Sequence, residues 1–329
     1  MLVAVTGAEG FIGSHLVEQL VERGDRVRAM VLYNSFGRRG WLDTLPERVL
    51  DAVEVVAGDV RDAGSVVEFC RGAEAVYHLA ALIAIPYSYR APRSYVETNV
   101  SGTLNVLEAA RVLETPRVVH TSTSEVYGTA RSVPIDEGHP LQAQSPYAAS
   151  KIGGDKLAEA YHLSFEVPVT TLRPFNTFGP RQSARAVIPT IITQLAAGRE
   201  EIELGAVEPR RDFTFVADTA AAFVAVATAP PERVIGRTLN AGTGREVSIG
   251  GLADMVAAIM ERPIRIRSDA NRLRPASSEV MRLVCDASEL RAATGWEPRH
   301  SLEDGLRLTV DWFSRPENLA AYRWQDYNL

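Results

Sequence analysis

The 329-residue sequence predicts an α/β fold: a doubly wound, mostly parallel sheet joined to a smaller mixed α/β lobe. Three observations lead to this fold class. Short apolar runs of strand length alternate with longer amphipathic segments through the first half of the chain. The links between them are short, as expected for strand–helix–strand units whose strands pair in parallel. Beyond residue 173 prolines break this rhythm, which indicates a less regular lobe.

The first half of the chain supplies most of the predicted sheet. An apolar run over 2–6 predicts the first strand, and apolar residues from Phe11 onward recur at helical spacing until Gly24. The next predicted elements are strands 26–32, 53–56 and 75–79, helix 94–113, strand 117–122, helix 147–165 and strand 169–173. A helix over 216–228 in the second half is predicted to return to the sheet.

Composition and charge exclude several classes of protein. The chain is 46% hydrophobic and 23% charged, which is close to the globular average. Its net charge of −6 argues against nucleic-acid binding, and no apolar stretch reaches the ~18 residues that a membrane span needs. The two cysteines, Cys70 and Cys285, suit a reducing compartment, so we expect a cytoplasmic protein. The six histidines lack metal-ligand spacing, and no metal site is expected.

A glycine-rich turn follows the first predicted strand. Gly7, Gly10 and Gly13 form a G-x-x-G-x-x-G pattern between that strand and an amphipathic helix. The first glycine allows a tight turn, the second lets the backbone approach a pyrophosphate, and the third lets the helix pack against the strand. The N–H groups and the dipole at the helix start attract phosphate. The motif therefore predicts a dinucleotide cofactor.

The domain organisation follows from this motif. Residues 1–173 are predicted to form a dinucleotide-binding Rossmann domain, and 174–329 a smaller lobe that covers its open edge. No linker, low-complexity run or internal repeat separates the two halves. Because a segment near 212–240 is expected to return to the sheet, we expect the two domains to be interleaved in sequence.

The end of the second predicted strand lacks the acid that usually binds the adenosine ribose. The residues after Met30 are Val-Leu-Tyr-Asn-Ser, and Arg38 and Arg39 follow in a loop. Two arginines at this place tolerate a 2′-phosphate, which favours NADP slightly over NAD. The same two arginines could instead be solvated surface charges.

Two short motifs follow the third and fourth predicted strands. Asp59, in Gly-Asp-Val, could accept a hydrogen bond from the adenine amino group, or it could cap the next helix. The Leu-Ala-Ala that follows His78 would let a cofactor lie close to the backbone. His78 itself is more typical of a histidine packed in the core.

The candidate reaction centre combines a helix face with a strand end. Tyr147 and Lys151 share one face of a predicted helix because they are four residues apart. A free tyrosine has a pKa of about 10, and a lysine ammonium together with the nicotinamide charge would lower it. Thr123 follows the fifth strand and could hydrogen-bond a substrate hydroxyl. Glu125 is either a catalytic carboxylate or an acid at a helix N-terminus.

Together these motifs resemble the extended short-chain dehydrogenase/reductase family. The matching segments are 6–13, 58–60, 78–81, 147–151, 173–176, 179–181, 211–216 and 295–298, so the resemblance covers nearly the whole chain. The nucleotide-sugar epimerases and 4,6-dehydratases are the most similar class, which implies a tightly bound NAD or NADP. The residues that the resemblance places against this cofactor are Gly7, Gly10, Phe11, Ile12, Gly13, Asn34, Ser35, Arg38, Asp59, Val60, Leu79, Ala80, Ala81, Asn99, Thr121, Tyr147, Lys151 and Pro174.

The tripeptide Thr123-Ser124-Glu125 separates the reactions of this class. Epimerases typically have Ser-Ser-Ala there, whereas dehydratases have Thr-Asp-Glu or, in the GDP-mannose enzymes, Thr-Ser-Glu. Both oxidise C4 by hydride transfer to nicotinamide, but only a dehydratase must also remove the C5 proton and expel water from C6. The resemblance thus implies a 4,6-dehydratase that forms a 4-keto-6-deoxy sugar. Its catalytic residues would be Thr123, Ser124, Glu125, Tyr147 and Lys151, with Glu125 as the C5 base.

Ser124 departs from the aspartate of the dTDP-glucose enzymes. The acid for the leaving hydroxyl would then be Glu125 itself or a water held by Ser124. Two other functions stay open: a 4-epimerase in which Glu125 is incidental, and a non-catalytic dinucleotide-binding sensor. The presence of Thr123, Tyr147 and Lys151 argues against the sensor, which does not need them.

The resemblance also implies a nucleotide-diphosphate sugar as the substrate, with its binding residues mainly in the lobe over 174–329. A UDP- or GDP-linked hexose or N-acetylhexosamine is expected, although no residue identifies the base. The implied substrate contacts are Thr123, Asn176, Arg181, Arg211, Arg274 and Glu279. Arg211 and Arg274 would bind phosphate, although either could instead form a surface salt bridge. Glu279 would bind ribose, but it lies two residues farther from Arg274 than in the GDP-mannose enzymes.

Family members usually dimerise through two helices per subunit. The predicted helices over 94–113 and 147–165 are the candidates for this role, so a homodimer is expected. Their apolar faces could equally belong to the core of one subunit.

Overall fold

The computed structural model describes residues 1–322 and centres on a seven-stranded parallel sheet. The strands are β1 Leu2–Thr6, β2 Arg26–Leu32, β3 Val53–Gly58, β4 Ala75–His78, β5 Val118–Thr121, β6 Val169–Pro174, β7 Asn176–Phe178, β8 Glu201–Leu204, β9 Arg210–Arg211, β10 Phe213–Phe215, β11 Thr238–Ala241, β12 Val247–Ser248, β13 Arg265–Ser268 and β14 Arg282–Leu283. The order in the large sheet is β11-β6-β5-β4-β1-β2-β3, and every pairing in it is parallel. The predicted doubly wound sheet is confirmed.

Helices cover both faces of this sheet. They are α1 Phe11–Glu22, α2 Glu47–Leu50, α3 Ala63–Cys70, α4 Ile85–Ser88, α5 Pro92–Tyr95, α6 Gly102–Val112, α7 Pro146–Phe165, α8 Val187–Ala196, α9 Val216–Thr228, α10 Pro231–Val234, α11 Ile249–Ile259, α12 Ser288–Thr294, α13 Leu302–Phe313 and α14 Pro316–Leu319. Strands buried on both faces explain the continuous apolar runs in the sequence; in β1, Val3, Ala4 and Val5 are fully buried.

The strand order reverses between β1 and β4, and this reversal positions the site. Chain segments that leave the carboxyl ends of these two strands diverge to opposite sides and open a crevice. The register aligns Thr6 at the end of β1 with His78 at the end of β4. The predicted glycine turn and the Leu-Ala-Ala segment therefore enter the crevice from its two sides.

One predicted helix is interrupted. The segment predicted as a helix over 94–113 consists of α5, a wide π-helical turn over Val96–Ser101, and α6. The backbone stays helical throughout, so the apolar periodicity is correct. The wide turn places Asn99 inside the protein, where its side chain bonds Leu82 and Ser150. Helical periodicity alone does not distinguish this turn from an ordinary one.

The second half of the chain forms a mixed lobe and also contributes to the large sheet. Strand β11 pairs with β6 at the sheet edge, and α9 packs against α1. The remaining strands form small sheets, of which β9 pairs antiparallel with β12 and parallel with β14. This lobe has its own apolar core, with Phe178, Ile191 and Leu252 fully buried. Among the described residues no helix is long and apolar enough to cross a membrane.

Candidate active site

The glycine turn between β1 and α1 is held tightly against the loop after β4. The hydroxyl oxygen of Thr6 accepts hydrogen bonds from the backbone N–H groups of Leu79 and Ala80, both at 3.2 Å. Gly7 has a φ of +67°, and a Cβ there would lie 2.7 Å from the Ala80 nitrogen. A Cβ on Gly13 would lie 2.1 Å from the Gly7 carbonyl oxygen. Side chains are thus excluded at these positions, so the backbone cradle fits a dinucleotide pyrophosphate.

The loop that follows β2 satisfies most of its polar groups internally. Both side-chain atoms of Asn34 are engaged, since Nδ2 donates to the Arg38 carbonyl at 2.7 Å and Oδ1 accepts from the Arg38 backbone at 3.1 Å. Arg39 forms an ion pair with Asp43 at 2.8 Å. Ser35 and the Arg38 side chain are exposed. This arrangement gives the expected NADP preference no direct support, because one arginine is paired and the other is solvated.

The adenine side of the predicted cofactor site contains one charged group that is already paired. Asp59 forms an ion pair with Arg61 at 2.5 Å, and the Arg61 side chain lowers the pKa of Asp59. The helix cap that Asp59 could have provided comes from Asp62, whose carboxylate accepts from the Ser65 backbone at 2.7 Å. Val60 is buried against Gly102, where a Cβ would lie only 2.8 Å from the valine side chain.

The loop 79–82 is fixed from behind by Asn99. Its Oδ1 accepts from the Leu82 backbone, and its Nδ2 donates to the Leu82 carbonyl and to Ser150, each at 2.9 Å. Asn99 thus shapes the loop that contains Ala80 and Ala81, and its contact with the cofactor stays a prediction. His78 is a core histidine, because its ring bonds Thr6 and Thr103 and burial lowers its pKa.

The side chains of Tyr147 and Lys151, the predicted catalytic pair, are buried on one face of α7, as their spacing predicted. Burial lowers the pKa of Lys151 to about 8, and Asp155 opposes that shift. Burial also raises the pKa of Tyr147 above its usual range, although the Thr123 hydroxyl lowers it. The pKa of Tyr147 is thus raised in the protein without its cofactor, and the predicted lowering, which includes the nicotinamide charge, stays a prediction. The Lys151 ammonium donates a hydrogen bond to the Thr121 carbonyl at 2.5 Å. For Tyr147, desolvation raises the pKa of the phenol more than the hydrogen bond with Thr123 lowers it.

A buried polar cluster lies behind Lys151 on the same helix. The Asp155 carboxylate accepts from Ser122 at 2.7 Å and from Arg173 at 2.9 Å, and it pairs with His120 at 3.2 Å. Burial alone would raise the pKa of Asp155, but these partners outweigh it and the pKa is lowered. Asp155 is not among the residues predicted from the sequence. Its spacing of four residues from Lys151 and eight from Tyr147 was the available signal.

The tripeptide after β5 forms the start of a short helical turn over Ser124–Tyr127. Thr123 caps this turn, and its hydroxyl oxygen accepts from the Glu125 backbone at 3.3 Å. Ser124 and Glu125 are buried. Glu125 is thus an acid in the first turn of a short helix, and its charge also raises the pKa of Tyr147.

Two arginines and two carboxylates meet beside this turn. Arg274 approaches Glu125 at 3.6 Å and Glu279 at 3.9 Å, and Arg211 pairs with Glu279 at 3.3 Å. Arg211 is 5% exposed, and burial lowers its pKa against the opposing effect of Glu125. The structure therefore brings together residues that are up to 154 positions apart. Glu279 belongs to the group despite its unusual spacing from Arg274.

The other predicted substrate residues divide into two groups. Asn176 begins β7, and its Oδ1 is buried without a hydrogen bond to any described residue. Pro174, which is predicted to contact the cofactor, ends β6 just before it. Arg181 instead has partners on α1: it donates to Glu18 at 2.6 Å and to Ser14 at 3.3 Å. Arg181 thus links the glycine-loop helix to the second lobe.

A cavity of about 210 Å³ lies next to Tyr147, and the sequence analysis did not predict it. Its lining includes Tyr87, Tyr95 and Arg185. The ring of Tyr95 lies edge-on to that of Tyr147, with centroids 6.3 Å apart. No periodicity or motif marks these residues, because Tyr87 and Tyr95 lie on the short helices α4 and α5 and the fold brings Arg185 to them from a distant segment.

The comparisons with known proteins agree with this geometry. The sequence model of the family described as GDP-mannose 4,6-dehydratase matches residues 4–309. The chain belongs to this family. It is one of the extended short-chain dehydrogenases/reductases, and its relatives are nucleotide-sugar dehydratases and epimerases. The resemblance inferred from the motifs is confirmed.

Relatives from both reaction types are similar to this family member. A dTDP-glucose 4,6-dehydratase of Xanthomonas campestris pv. campestris is 32% identical, over 94% of this chain and 92% of its own. A UDP-glucose 4-epimerase of Mycolicibacterium smegmatis is 34% identical, over 95% of this chain and 98% of its own. The structure of a dTDP-glucose 4,6-dehydratase from Streptomyces venezuelae with NAD bound has a TM-score of 0.86 at 31% identity, covering 98% and 99% of the two chains.

Proposed function

We propose that the protein is an NAD-dependent nucleotide-sugar 4,6-dehydratase. The observation that carries this proposal is the position of Glu125, buried beside Tyr147 and facing Arg274. An epimerase returns hydride to the other face of a C4 ketone and needs no further base. A dehydratase must remove a proton from C5, and the Glu125 carboxylate would be the base that removes it. Relatives named dTDP-glucose 4,6-dehydratase support the assignment.

The cofactor assignment rests on the glycine cradle and on the relative solved with NAD. The turn over 7–13 would hold the pyrophosphate, Asp59 would face the adenine, and Thr121 with Lys151 would lie near the nicotinamide end. NAD supplies the hydride acceptor for C4 and the hydride that C6 receives. We favour NAD over NADP, because Arg39 is paired with Asp43.

The residues of the reaction centre would move protons in two stages. With the positive charges of Lys151 and the bound nicotinamide beside it, Tyr147 would be a phenolate and would take the proton from the C4 hydroxyl, while Thr123 hydrogen-bonds the same oxygen. The resulting C4 ketone acidifies C5, and Glu125 removes the C5 proton. The C6 hydroxyl then leaves as water, protonated by Glu125 or by a water held by Ser124. Return of the hydride to C6 would be matched by a proton passed from Tyr147 to C5, which restores the phenolate. The sugar would then be a 4-keto-6-deoxy sugar that has lost one water.

The arginines beside the centre would bind the substrate's pyrophosphate. Arg211 and Arg274 already lie side by side, and a buried Arg274 Nη1 makes no hydrogen bond to any described residue. Two phosphate charges would compete with Glu125 and Glu279 for these guanidinium groups. Phosphate binding would thus release Glu125 from Arg274 and leave its carboxylate available to C5. A UDP- or GDP-linked hexose or N-acetylhexosamine is the proposed substrate.

Replacing Glu125 with glutamine tests this function. Glu125→Gln keeps the size of the side chain but removes the base, so dehydration should fall roughly 100- to 10,000-fold. Exchange of the C5 proton with deuterated solvent, followed by mass spectrometry, should fall with it. Glu68→Gln, at an exposed acid on α3, is the matched control and should leave both rates unchanged. Undiminished dehydration by Glu125→Gln would show that another group is the base.

A 4-epimerase is the second candidate function. The relative at 34% identity is named UDP-glucose 4-epimerase, and Ser124 replaces the acid of the dTDP-glucose enzymes. In that case Glu125→Gln would leave the interconversion of C4 epimers intact, because epimerisation requires only Tyr147, Lys151 and the nicotinamide. The same variant therefore separates the two candidates.

The protein is further proposed to act as a homodimer through the helical segments 94–113 and 147–165. Apolar side chains remain exposed along them, including Val96, Val112 and Leu163. Burying these side chains against a second copy would remove apolar surface from water. Light scattering coupled to size-exclusion chromatography should give twice the 35.9 kDa chain mass, and the mass of one chain would contradict the dimer.

A further inference from the structure

The carboxylate of Glu9 lies at the end of β2, where the sequence has no acid of its own. Glu9 belongs to the glycine turn, between Gly7 and Gly10, yet its Oε1 accepts a hydrogen bond from the Leu32 backbone at 2.9 Å. Leu32 is the last residue of β2. The side chain therefore bridges from the first strand's turn to the second strand's carboxyl end. In dinucleotide-binding folds an acid at this strand end bonds the adenosine ribose.

Glu9 is held in this place from both ends. Its carbonyl oxygen accepts from the Trp41 backbone at 3.0 Å, so the loop after β2 folds back over the turn. Gly40 permits this close approach, because a Cβ there would lie 2.7 Å from the Glu9 carbonyl oxygen. The loop and the glycine turn thus form one unit with the carboxylate between them.

One oxygen of this carboxylate is left for a ligand. Oε2 of Glu9 is buried and makes no hydrogen bond within residues 1–322. A buried carboxylate oxygen without a donor is costly unless a partner donates to it. Burial also raises the pKa of Glu9, which is the consequence expected of an anion short of donors.

We infer that Glu9 replaces the missing acid of β2 and selects NAD over NADP. Oε2 would accept a hydrogen bond from the 2′-hydroxyl of the adenosine ribose, whereas a 2′-phosphate would bring negative charge against it. This inference rests on the proposed function only in requiring that the protein bind a nicotinamide dinucleotide. The inferred preference for NAD is the opposite of the NADP preference expected from Arg38 and Arg39. The loop that contains these arginines contacts Glu9 through the Trp41 backbone.

The affinities of the wild-type protein and two Glu9 variants for NAD and NADP test this inference. After removal of endogenous dinucleotide, calorimetry on the wild type should give at least tenfold tighter binding of NAD. Glu9→Gln removes the charge and should strengthen NADP binding about tenfold while changing NAD binding less. Glu9→Ala also removes the acceptor and should weaken NAD binding about tenfold. Glu22→Gln, at an exposed acid on α1, is the matched control and should change neither affinity.

Three results would overturn the inference. Equal or tighter binding of NADP to the wild type would do so, as would an unchanged NAD-to-NADP ratio in both Glu9 variants, provided that their melting temperatures match the wild type. Loss of NADP binding only when Arg38 and Arg39 become alanine would assign the selection to the arginines. In each case the dinucleotide site itself stands. Failure of the wild type to bind either dinucleotide would overturn the proposed function as well.

Discussion

Burial has opposite consequences for the two reactive side chains on α7. It raises the pKa of Tyr147 and lowers the pKa of Lys151, because each shift favours the neutral form. Without its cofactor the protein therefore holds Tyr147 as a neutral phenol. Lys151 beside it loses its proton more readily than an ordinary lysine does. Asp155 is the group that keeps this lysine charged, and its effect reaches the reaction through Lys151. We regard Asp155 as a positioning residue.

The pH dependence of activity tests this role of Asp155. Lys151 loses its proton as pH rises through its pKa of about 8, so activity should decline above that pH. Asp155 raises that pKa, and Asp155→Asn should therefore move the alkaline decline to lower pH. Glu159→Gln, at an exposed acid on the same helix, should leave the profile unchanged. If the alkaline decline in activity does not move in Asp155→Asn, then Asp155 does not control the charge of Lys151.

At the scale of elements, the glycine turn depends on close backbone contacts more than on any side chain. Gly13 lets α1 start directly over the end of β1, and Gly7 lets the loop after β4 approach. The amphipathic pattern of α1 and the strand before it made this arrangement predictable from sequence. The wide π-helical turn before α6 was not predictable, because its cause is the bond network of Asn99 with residues that are distant in sequence.

Gly13→Ala tests the close contact in the turn. The added methyl group would lie 2.1 Å from the Gly7 carbonyl oxygen, so the helix must shift. We expect a loss of about 1–3 kcal/mol in the free energy of unfolding, together with loss of dinucleotide binding. Gly64→Ala, in α3, is the matched control: its Cβ would meet nothing closer than 3.5 Å, so stability should hold or rise slightly. Chemical denaturation measures the change in stability, and titration with NAD measures the change in binding. Unimpaired NAD binding by Gly13→Ala would show that the close contact between Gly13 and Gly7 is not needed to bind the dinucleotide.

At the scale of the whole molecule, a buried polar network joins segments from both halves of the chain. Arg173 on β6 bonds Asp155 on α7 and the Tyr127 hydroxyl at 2.9 Å. That hydroxyl donates to Asn240 on β11 at 2.8 Å. Strand β11 is therefore connected through Tyr127 and Arg173 to Asp155, which lies four residues after Lys151 on α7.

Arg173→Ala should destabilise the whole protein. The variant leaves the buried Asp155 carboxylate without its guanidinium partner, which typically costs about 3–5 kcal/mol. Arg93→Ala removes an exposed arginine that pairs with Glu97 and should leave the unfolding midpoint unchanged. Urea denaturation followed by circular dichroism measures both. Equal midpoints for the two variants would show that the network does not contribute to stability.

Much of this molecule could be predicted from its sequence. The parallel sheet, the glycine turn and the pairing of Tyr147 with Lys151 follow from local periodicity and fixed spacing. The grouping of Glu125 with Arg211, Arg274 and Glu279 could be named only through resemblance, because long-range packing creates it. The position of Glu9 had no sequence signal: a residue within a known motif reaches a strand end that its own position does not indicate.

The central claim is that the protein removes water from a nucleotide sugar. The most direct measurement is mass spectrometry of UDP-N-acetylglucosamine, GDP-mannose, dTDP-glucose and other nucleotide sugars after incubation with the purified protein. We predict that one of them loses the mass of one water, which establishes the dehydratase and identifies the substrate. An unchanged mass with a new isomer on chromatography would contradict the claim, make the protein an epimerase and leave Glu125 without a catalytic role.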